Sequence, residues 1–271
     1  MLSDESQESA INIVKFITGS DTRVKILHSL KEGALDLGSI RNETGINSST
    51  LLHAMNKLKD NNLVVKSKDG YNLTNVGMIQ LMLLIDLIKA FSTLYSHKDF
   101  WLNHQMRDIP EPLLKGIGDL GDCEMVKATS INILKPMTVI TEIISEAKTV
   151  KGVVPIFQPG FIELIEGLAK RGSDVKLILT EELFGMIKSE HNGLFKVLLS
   201  KDNFDIWVTG RSVKVAFAVT DSAIILGLFT KDGAYDMSKN LVSHSNEAIS
   251  WGTKLFKYHQ GKLNCVHTSD I

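Results

Sequence analysis

LGSIRNETGINSSTLLHAMNKLKDNNLVVKSKDGYNL, residues 37 to 73, holds two helical signals, a corner between them and a hairpin behind them. Leu37 and Ile40, with Leu35 just ahead, mark a short helix that stops at Thr44-Gly45. Gly45 supplies the left-handed residue that a tight corner between helices favours, because it has no Cβ to clash there. Asn47 or Ser48 can cap the next helix by accepting a bond from its free first-turn amides, and that helix is expected to reach about Asn61. Leu63-Val64-Val65 and Tyr71-Asn72-Leu73 then flank Lys68-Asp69-Gly70, and Asp-Gly between apolar runs signals a hairpin turn. Upstream, Val24, Ile26, Leu27 and Leu30 form a helical stripe that Gly33 ends. This order of helix, short helix, turn, longer helix and hairpin predicts a winged helix-turn-helix over residues 1–73.

The longer helix can be tested by angle. At about 100° per residue, Leu51, Ala54, Met55 and Leu58 share one face, and Ser49, His53, Asn56 and Lys57 share the opposite one. Hydroxyl, imidazole, amide and ammonium groups on an outward stripe suit base edges and phosphates in a major groove. Ser48 and Thr50 stand beside them in the first turn, Arg41 is placed to reach a flanking phosphate, and Lys66 and Lys68 lie on the hairpin. Between residues 41 and 69 five basic residues (Arg41, Lys57, Lys59, Lys66, Lys68) face three acidic ones (Glu43, Asp60, Asp69). The expected partner is double-stranded DNA, although winged helices also dock proteins.

Composition narrows the rest. The chain has 271 residues, 44% hydrophobic and 23% charged, which is the range of a folded protein with room for two domains. Its net charge of -1 gives no global positive field, so DNA binding has to be argued from local placement of Lys and Arg. Cys123 and Cys265 have no short-range partner and suit a reducing interior, as a buried thiol and a free tail thiol. The eight histidines show no His-x-x-x-His or Cys-x-x-Cys spacing, so neither a metal site nor a cofactor is expected. The opening Met1-Leu2-Ser3-Asp4-Glu5 is acidic and polar, unlike a signal peptide. Gly77 to Tyr95, the most apolar stretch, is broken by Gln80, Asp86 and Lys89 and is expected to fall short of a spanning helix. A cytoplasmic protein is expected.

Residues 74–106 read as long linker helices. Asn75, Asp86, Lys89 and Thr93 follow one narrow polar stripe, and most of the remaining circumference is apolar. A helix apolar nearly all round must be buried on several sides. Ile85, Ile88 and Phe91 are therefore expected to dimerise it against its own copy, which would place two recognition helices on successive half-sites of a palindromic operator.

From residue 107 to 263 strand-like runs alternate with helical ones, the pattern of an α/β effector domain, with 264–271 as a tail. Val153 to Ile156 and Val175 to Leu179 read as buried strands, and Phe161, Leu164, Ile165 and Leu168 mark the helix between them. Phe204 to Val208, Val213 to Val219 and Ile224 to Phe229 add further strands, with Asp221-Ser222-Ala223 as a reversal, and Ala248 to His259 reads as a closing helix. An α/β sandwich around a mixed sheet is expected. Gly116, Gly118 and Gly121 match G-x-G-x-x-G, but no clear strand precedes them, so they are read as a polar linker rather than a dinucleotide site.

Several stretches carry a resemblance. Asp21 to Leu27, the Leu73-Thr74-x-x-Gly77 exit from the hairpin, Asp99-Phe100-Trp101 with His104 and Ile109-Pro110, Tyr235-Asp236, and Trp251-Gly252 with Leu255-Phe256 occur in order. Together they resemble an archaeal winged helix-turn-helix regulator of methanogens, with the C-terminal domain of the filamentation and methanogenesis regulator family. That resemblance implies a transcription regulator whose second domain is an effector or sensor domain. The run Val213 to Gly227 also resembles the strand pair of the phospholipase D superfamily, a fold shared with TrmB-type sugar-sensing regulators. Setting Asp221 on the acid of His-x-Lys-x4-Asp puts Lys214 and Ala216 where the enzymes carry histidine and lysine. With no nucleophilic imidazole, phosphodiester chemistry at that site is rejected.

A sensing pocket is expected to draw on Trp101, His104, Arg211, Lys214, Tyr235 and Trp251, whose polar and aromatic tips could converge on a small anion or metabolite. The leading reading is a DNA-binding, signal-responsive regulator without enzymatic activity. A protein-docking winged helix, or an enzyme of unrecognised type in the C-terminal domain, are the alternatives.

Overall fold

The computed structural model describes residues 4–261 and 263–267. Met1 to Ser3 of the polar opening and the last four residues of the 264–271 tail lie outside the described residues, while the acidic Asp4 and Glu5 begin the first helix. The chain divides into two compact units, Met1–Leu87 and Ile88–Ile271.

In the first unit, helices α1 (Asp4–Thr18), α2 (Asp21–Ser29), α3 (Leu37–Thr44) and α4 (Ser48–Asp60) precede a hairpin of β1 (Val64–Ser67) and β2 (Gly70–Leu73). Local chemistry sets each boundary. Asp36 caps α3 by accepting from the Ser39 amide at 2.9 Å, and Gly45 closes it in the left-handed region at φ 70°. Asn47, rather than Ser48, caps α4, accepting from the Thr50 amide at 2.9 Å. The strands pair antiparallel with Ser67 opposite Gly70. Leu35 is not helical: it exchanges two backbone bonds with Tyr71 and lays a bridge along the hairpin. Ile26, Leu27, Ile40, Leu51, Met55, Leu58, Leu63 and Tyr71 form the core.

Helix α5 (Asn75–Ser96) starts where Thr74 accepts from the Gly77 amide at 2.9 Å and donates its own hydroxyl to the Asn62 carbonyl at 2.7 Å. Gly77 lies so close to the Leu63 carbonyl that a Cβ there would collide with it. Over Asn75–Ser96 the chain is long and apolar enough, by length and composition, to cross a membrane, contrary to the expectation that it falls short. Asp86 and Lys89 interrupt the apolar run without lowering its mean enough to matter. The unit boundary falls inside α5, so residues 74–106 are not a separate linker: Leu81 and Leu84 belong to the first core, and Ala90, Leu94, Phe100 and Trp101 to the second.

The second unit continues with α6 (Lys98–Asn103), α7 (Glu111–Lys115), a 3-10 turn (Ile117–Leu120), β3 (Glu124–Lys127), α8 (Lys135–Ser145), β4 (Thr149–Val154), α9 (Phe161–Arg171) and β5 (Asp174–Thr180). After these come α10 (Glu181–Leu199), β6 (Phe204–Thr209), β7 (Val215–Thr220), β8 (Ile224–Leu228), β9 (Lys239–Ser243) and α11 (Asn246–Gln260). Among the described residues seven strands form one mixed sheet in the order β3-β9-β8-β7-β4-β5-β6, parallel across β4, β5 and β6 and antiparallel elsewhere. Because side chains alternate along a strand, each sheet face has its own core. Val153, Ile178, Phe217, Ile224 and Leu226 pack with Trp251, Leu255 and Phe256 of α11. Val150, Val175, Leu177 and Ile206 pack with Ile165 and Leu168 of α9 and with Leu183, Ile187 and Phe195 of α10.

Three expectations change here. The strand anticipated at residues 153–156 is β4, which begins at Thr149 and stops before Pro155, a residue with no amide to continue the ladder. Residues 264–267 are not a loose tail, because Cys265 bridges Trp207 and the Val266 amide bonds the Ile206 carbonyl at 2.8 Å along the edge of β6. The G-x-G-x-x-G segment is packed rather than a polar linker: Ile117, Gly118 and Leu120 are buried, and a Cβ on Gly118 would come within 2.7 Å of the Ala90 nitrogen.

Candidate nucleic-acid interface and effector cavity

On α4, Leu51, Ala54, Met55 and Leu58 are buried, while Ser48, Ser49, Thr50, His53, Asn56 and Lys57 are exposed. Ser49 donates to the Asn47 side chain at 2.8 Å, so the cap also orients the first polar group of the outer face. Arg41 is exposed on α3, and Lys68 is exposed at the hairpin turn. Lys66 is exposed too, with its ammonium 6.0 Å from the Tyr71 ring centroid. These side chains, on α3, α4 and the hairpin, leave the unit's apolar core untouched. Asn47 is the positioning residue of the group, and its place ahead of a Ser-Ser-Thr first turn is a signal readable in sequence.

The residues expected to form one sensing pocket are distributed. Trp101 and Trp251 are core: their indole N–H groups donate to the carbonyls of Thr93 (3.2 Å) and Leu113 (2.9 Å), which leaves neither free for a ligand. His104 is buried, with Nδ1 2.6 Å from the Phe100 carbonyl and Nε2 3.0 Å from the Asp236 carboxylate. Burial opposes charge on Asp236, but bonds from the Ser238 side chain and amide and from His104 outweigh it and hold the carboxyl below its ordinary value. Thr93, placed by spacing on a polar stripe of α5, is buried and directs its hydroxyl at the Gly121 carbonyl. Asp221 accepts from the amides of Lys148 (2.8 Å) and Thr149 (3.2 Å), a structural task at the start of β4.

Arg211 and Lys214 do come together, lining a cleft of about 300 Å³ at the ends of β5 and β6 with Thr180, Glu181 and Phe229. The Lys214 ammonium sits 4.8 Å from the Phe229 ring centroid. His259, which spacing does not single out, lines a neighbouring cleft with Arg211 and Tyr258. Burial lowers its pKa, and the Arg211 charge adds to that, against a 2.9 Å contact of Nε2 with the Asp108 carbonyl. Tyr235 packs edge-on against Phe229, with ring centroids 5.3 Å apart. It belongs to a different space, a cavity of about 100 Å³ between α8, α9 and the sheet. Sequence reading missed this cavity because its floor is made by residues with little or no side chain.

Two family models match the chain: the N-terminal domain of Methanogenesis regulatory protein FilR1 over residues 11–92, and its middle domain over residues 133–262. Methanogenesis regulatory protein FilR1 of Methanothrix harundinacea is 29% identical over 269 residues, covering 98% of this chain and 60% of the relative's length. An uncharacterized HTH-type transcriptional regulator of Methanocaldococcus jannaschii is 30% identical over 79 residues, 27% of this chain and 74% of that one. Among solved structures, the archaeal chromatin protein TrmBL2 aligns over 89% of this chain and 92% of its own. Its TM-score is 0.44 at 12% identity, too loose a likeness to carry an argument. The class these matches define is a transcription regulator of the kind found in methanogens. The chain belongs to the FilR1 family of methanogenesis regulatory proteins.

Proposed function

We propose that the chain is a cytoplasmic DNA-binding regulator that reads a palindromic operator as a homodimer and answers to a small molecule through its second unit. The first unit then acts as a winged helix-turn-helix, with α4 in the major groove and the β1-β2 hairpin as the wing. The observation that carries this reading is the outer face of α4: four exposed polar side chains, Ser49, His53, Asn56 and Lys57, at helical spacing, set behind a capped corner and opposite a fully buried apolar face. Arg41, Lys57, Lys66 and Lys68 supply phosphate contacts, and His53 and Asn56 face base edges. Because the chain spans 60% of the length of its FilR1 relative, these partners are assigned from the chain's own residues.

Phosphate contacts and base contacts respond differently to salt. Each neutralised phosphate releases counterions and adds about 0.9 to the slope of log affinity against log salt. Lys57→Ala or Lys68→Ala is therefore expected to weaken binding to every sequence and reduce that slope by about one. His53→Ala is expected to leave the slope unchanged and alter preference among sequences. Titrations of labelled duplexes at several salt concentrations separate the two, and equal slopes for wild type and both lysine variants would remove the phosphate assignment.

The partner copy is assigned to α5. Val76, Ile79, Leu83, Leu87 and Phe91 recur at intervals of three and four and are all exposed, as are Ile88 and Tyr95. Ile85, by contrast, is half-buried against the first core, so the dimer face is centred on Leu83, Ile88 and Phe91.

A further inference from the structure

The cavity between α8, α9 and the sheet has a floor of very small residues. Gly152 on β4 pairs with Ala218 on β7, and Ala216 two residues away pairs with Gly227 on β8. Gly152, Ala216, Ala218 and Gly227 thus leave a low patch on this face, bordered by Val150, Val154, Leu177 and Ile225, while the opposite face of the same strands carries Val153, Phe217, Ile224 and Leu226. Ile140 and Ile144 from α8, with Phe161 and Leu164 from α9, wall the space without filling it. Close packing is the rule in protein interiors, so about 100 Å³ left open over a Gly/Ala floor marks space kept for something else.

Its chemistry is specific. Among the described residues the lining contains no charged side chain; its polar side chains are Thr141, Gln158 and Tyr235. Tyr235 donates to the Asn240 side-chain oxygen, Oδ1, at 3.1 Å, and Asn240 is itself buried. Burial pushes the Tyr235 hydroxyl above the ordinary phenol range, so it stays neutral. With its proton engaged, the phenol oxygen keeps lone pairs for a donor inside the cavity. Gly227 makes the arrangement possible, because a Cβ there would collide with both the Tyr235 hydroxyl and the Asn240 side chain. Exposed Pro159 and Gly160 form the rim.

We infer that this cavity binds a compact, uncharged, largely apolar molecule carrying one hydrogen-bond donor, of the size of a single aromatic ring, with the donor on Tyr235. An anion would enter a space that offers it no cation, at high desolvation cost. An engineered apolar cavity of about 150 Å³ admits benzene, which bounds the ligand at one ring. The inference rests on the sensor reading of the second unit and replaces the anionic effector expected from Arg211 and Lys214.

The test uses the full chain without DNA and three probes, phenol, benzene and benzoate, with Ile-methyl NMR as readout. Phenol and benzene are expected to shift the methyls of Ile140, Ile144 and Ile225, and benzoate is not. Ala218→Leu fills the floor and is expected to weaken phenol at least tenfold. Tyr235→Phe is expected to weaken phenol about tenfold and leave benzene unchanged, which a general loss of packing would not do, and it stands alone if Ala218→Leu does not fold. Failure of phenol to shift those methyls, or equal phenol binding by wild type and Tyr235→Phe, overturns the inference. Operator affinity measured separately, with and without phenol, shows whether DNA binding itself stands.

Discussion

Replacing Ser49, His53, Asn56 and Lys57 together with alanine is expected to lower affinity for a specific operator by at least about 100-fold, because each well-placed base contact is worth about 1–3 kcal/mol of discrimination. The thermal midpoint should stay within a few degrees of wild type. All four side chains are exposed, and surface changes away from caps and cores typically cost less than about 0.5 kcal/mol. The cap is left in place, since the Asn47 side-chain oxygen accepts from the Thr50 main-chain amide, a bond that does not involve the residue 49 side chain. Alanine also favours helix. Anisotropy titration against an operator duplex, beside a thermal melt, separates lost recognition from lost folding. Operator affinity within twofold of wild type would mean that α4 is not the reading helix.

The second large effect is expected at α5. Leu83, Phe91 and Tyr95 are 65%, 62% and 82% exposed, values that fit a helix whose outward face is covered only when a second copy meets it. Burying a leucine or phenylalanine contributes about 1.5–3 kcal/mol each, and both copies contribute. Leu83→Glu with Phe91→Glu would place four carboxylates in that interface. The variant is expected to sediment at the 30.0 kDa chain mass and the wild type at twice that. Its operator affinity should fall by about 100-fold or more, because linked half-site binding gains that much over a single site. Ile85→Glu is the control that distinguishes packing from pairing: it should destabilise the first unit, whose core Ile85 touches. A wild type that sediments as a monomer at micromolar concentration removes the dimer from the account.

How much of this was legible in the sequence depends on how local the signal is. The corner at Gly45, the Asn47 cap and the Asp69-Gly70 turn are decided by the conformations of one or two residues, and each lies where composition puts it. The Leu73-Thr74-x-x-Gly77 exit also has a local cause, since Thr74 caps α5 and Gly77 admits the Leu63 carbonyl. Leu35 looked helical because it is an apolar residue next to a helix, and only its pairing with a residue 36 positions on makes it a β-bridge. Strands β3 and β9 went unread because each is four or five residues long, with lysine or glutamate at one end. They exist by pairing with each other and with β8.

Site residues divide in the same way. The outer face of α4 follows from 3.6-residue periodicity, so its members are readable one by one. Trp101 and Trp251 were plausible ligand residues by type, but their indole N–H groups are satisfied by carbonyls 8 and 138 residues away, which no spacing rule announces. The apolar cavity is the converse case. Its sequence signal is a set of absences, Gly152, Ala216, Ala218 and Gly227 within otherwise bulky strands, and these meaningfully align only once the register of β4, β7 and β8 is known.

Selection of duplexes from a random-sequence pool by the wild-type chain, followed by sequencing, tests the central claim most directly. The expected result is an enriched motif of two inverted half-sites with centres about 10 base pairs apart, or a multiple of that spacing, and loss of the enrichment when the selection is repeated with the quadruple α4 variant. Recovery of a pool with no enriched motif, by folded protein at moderate salt, would contradict it.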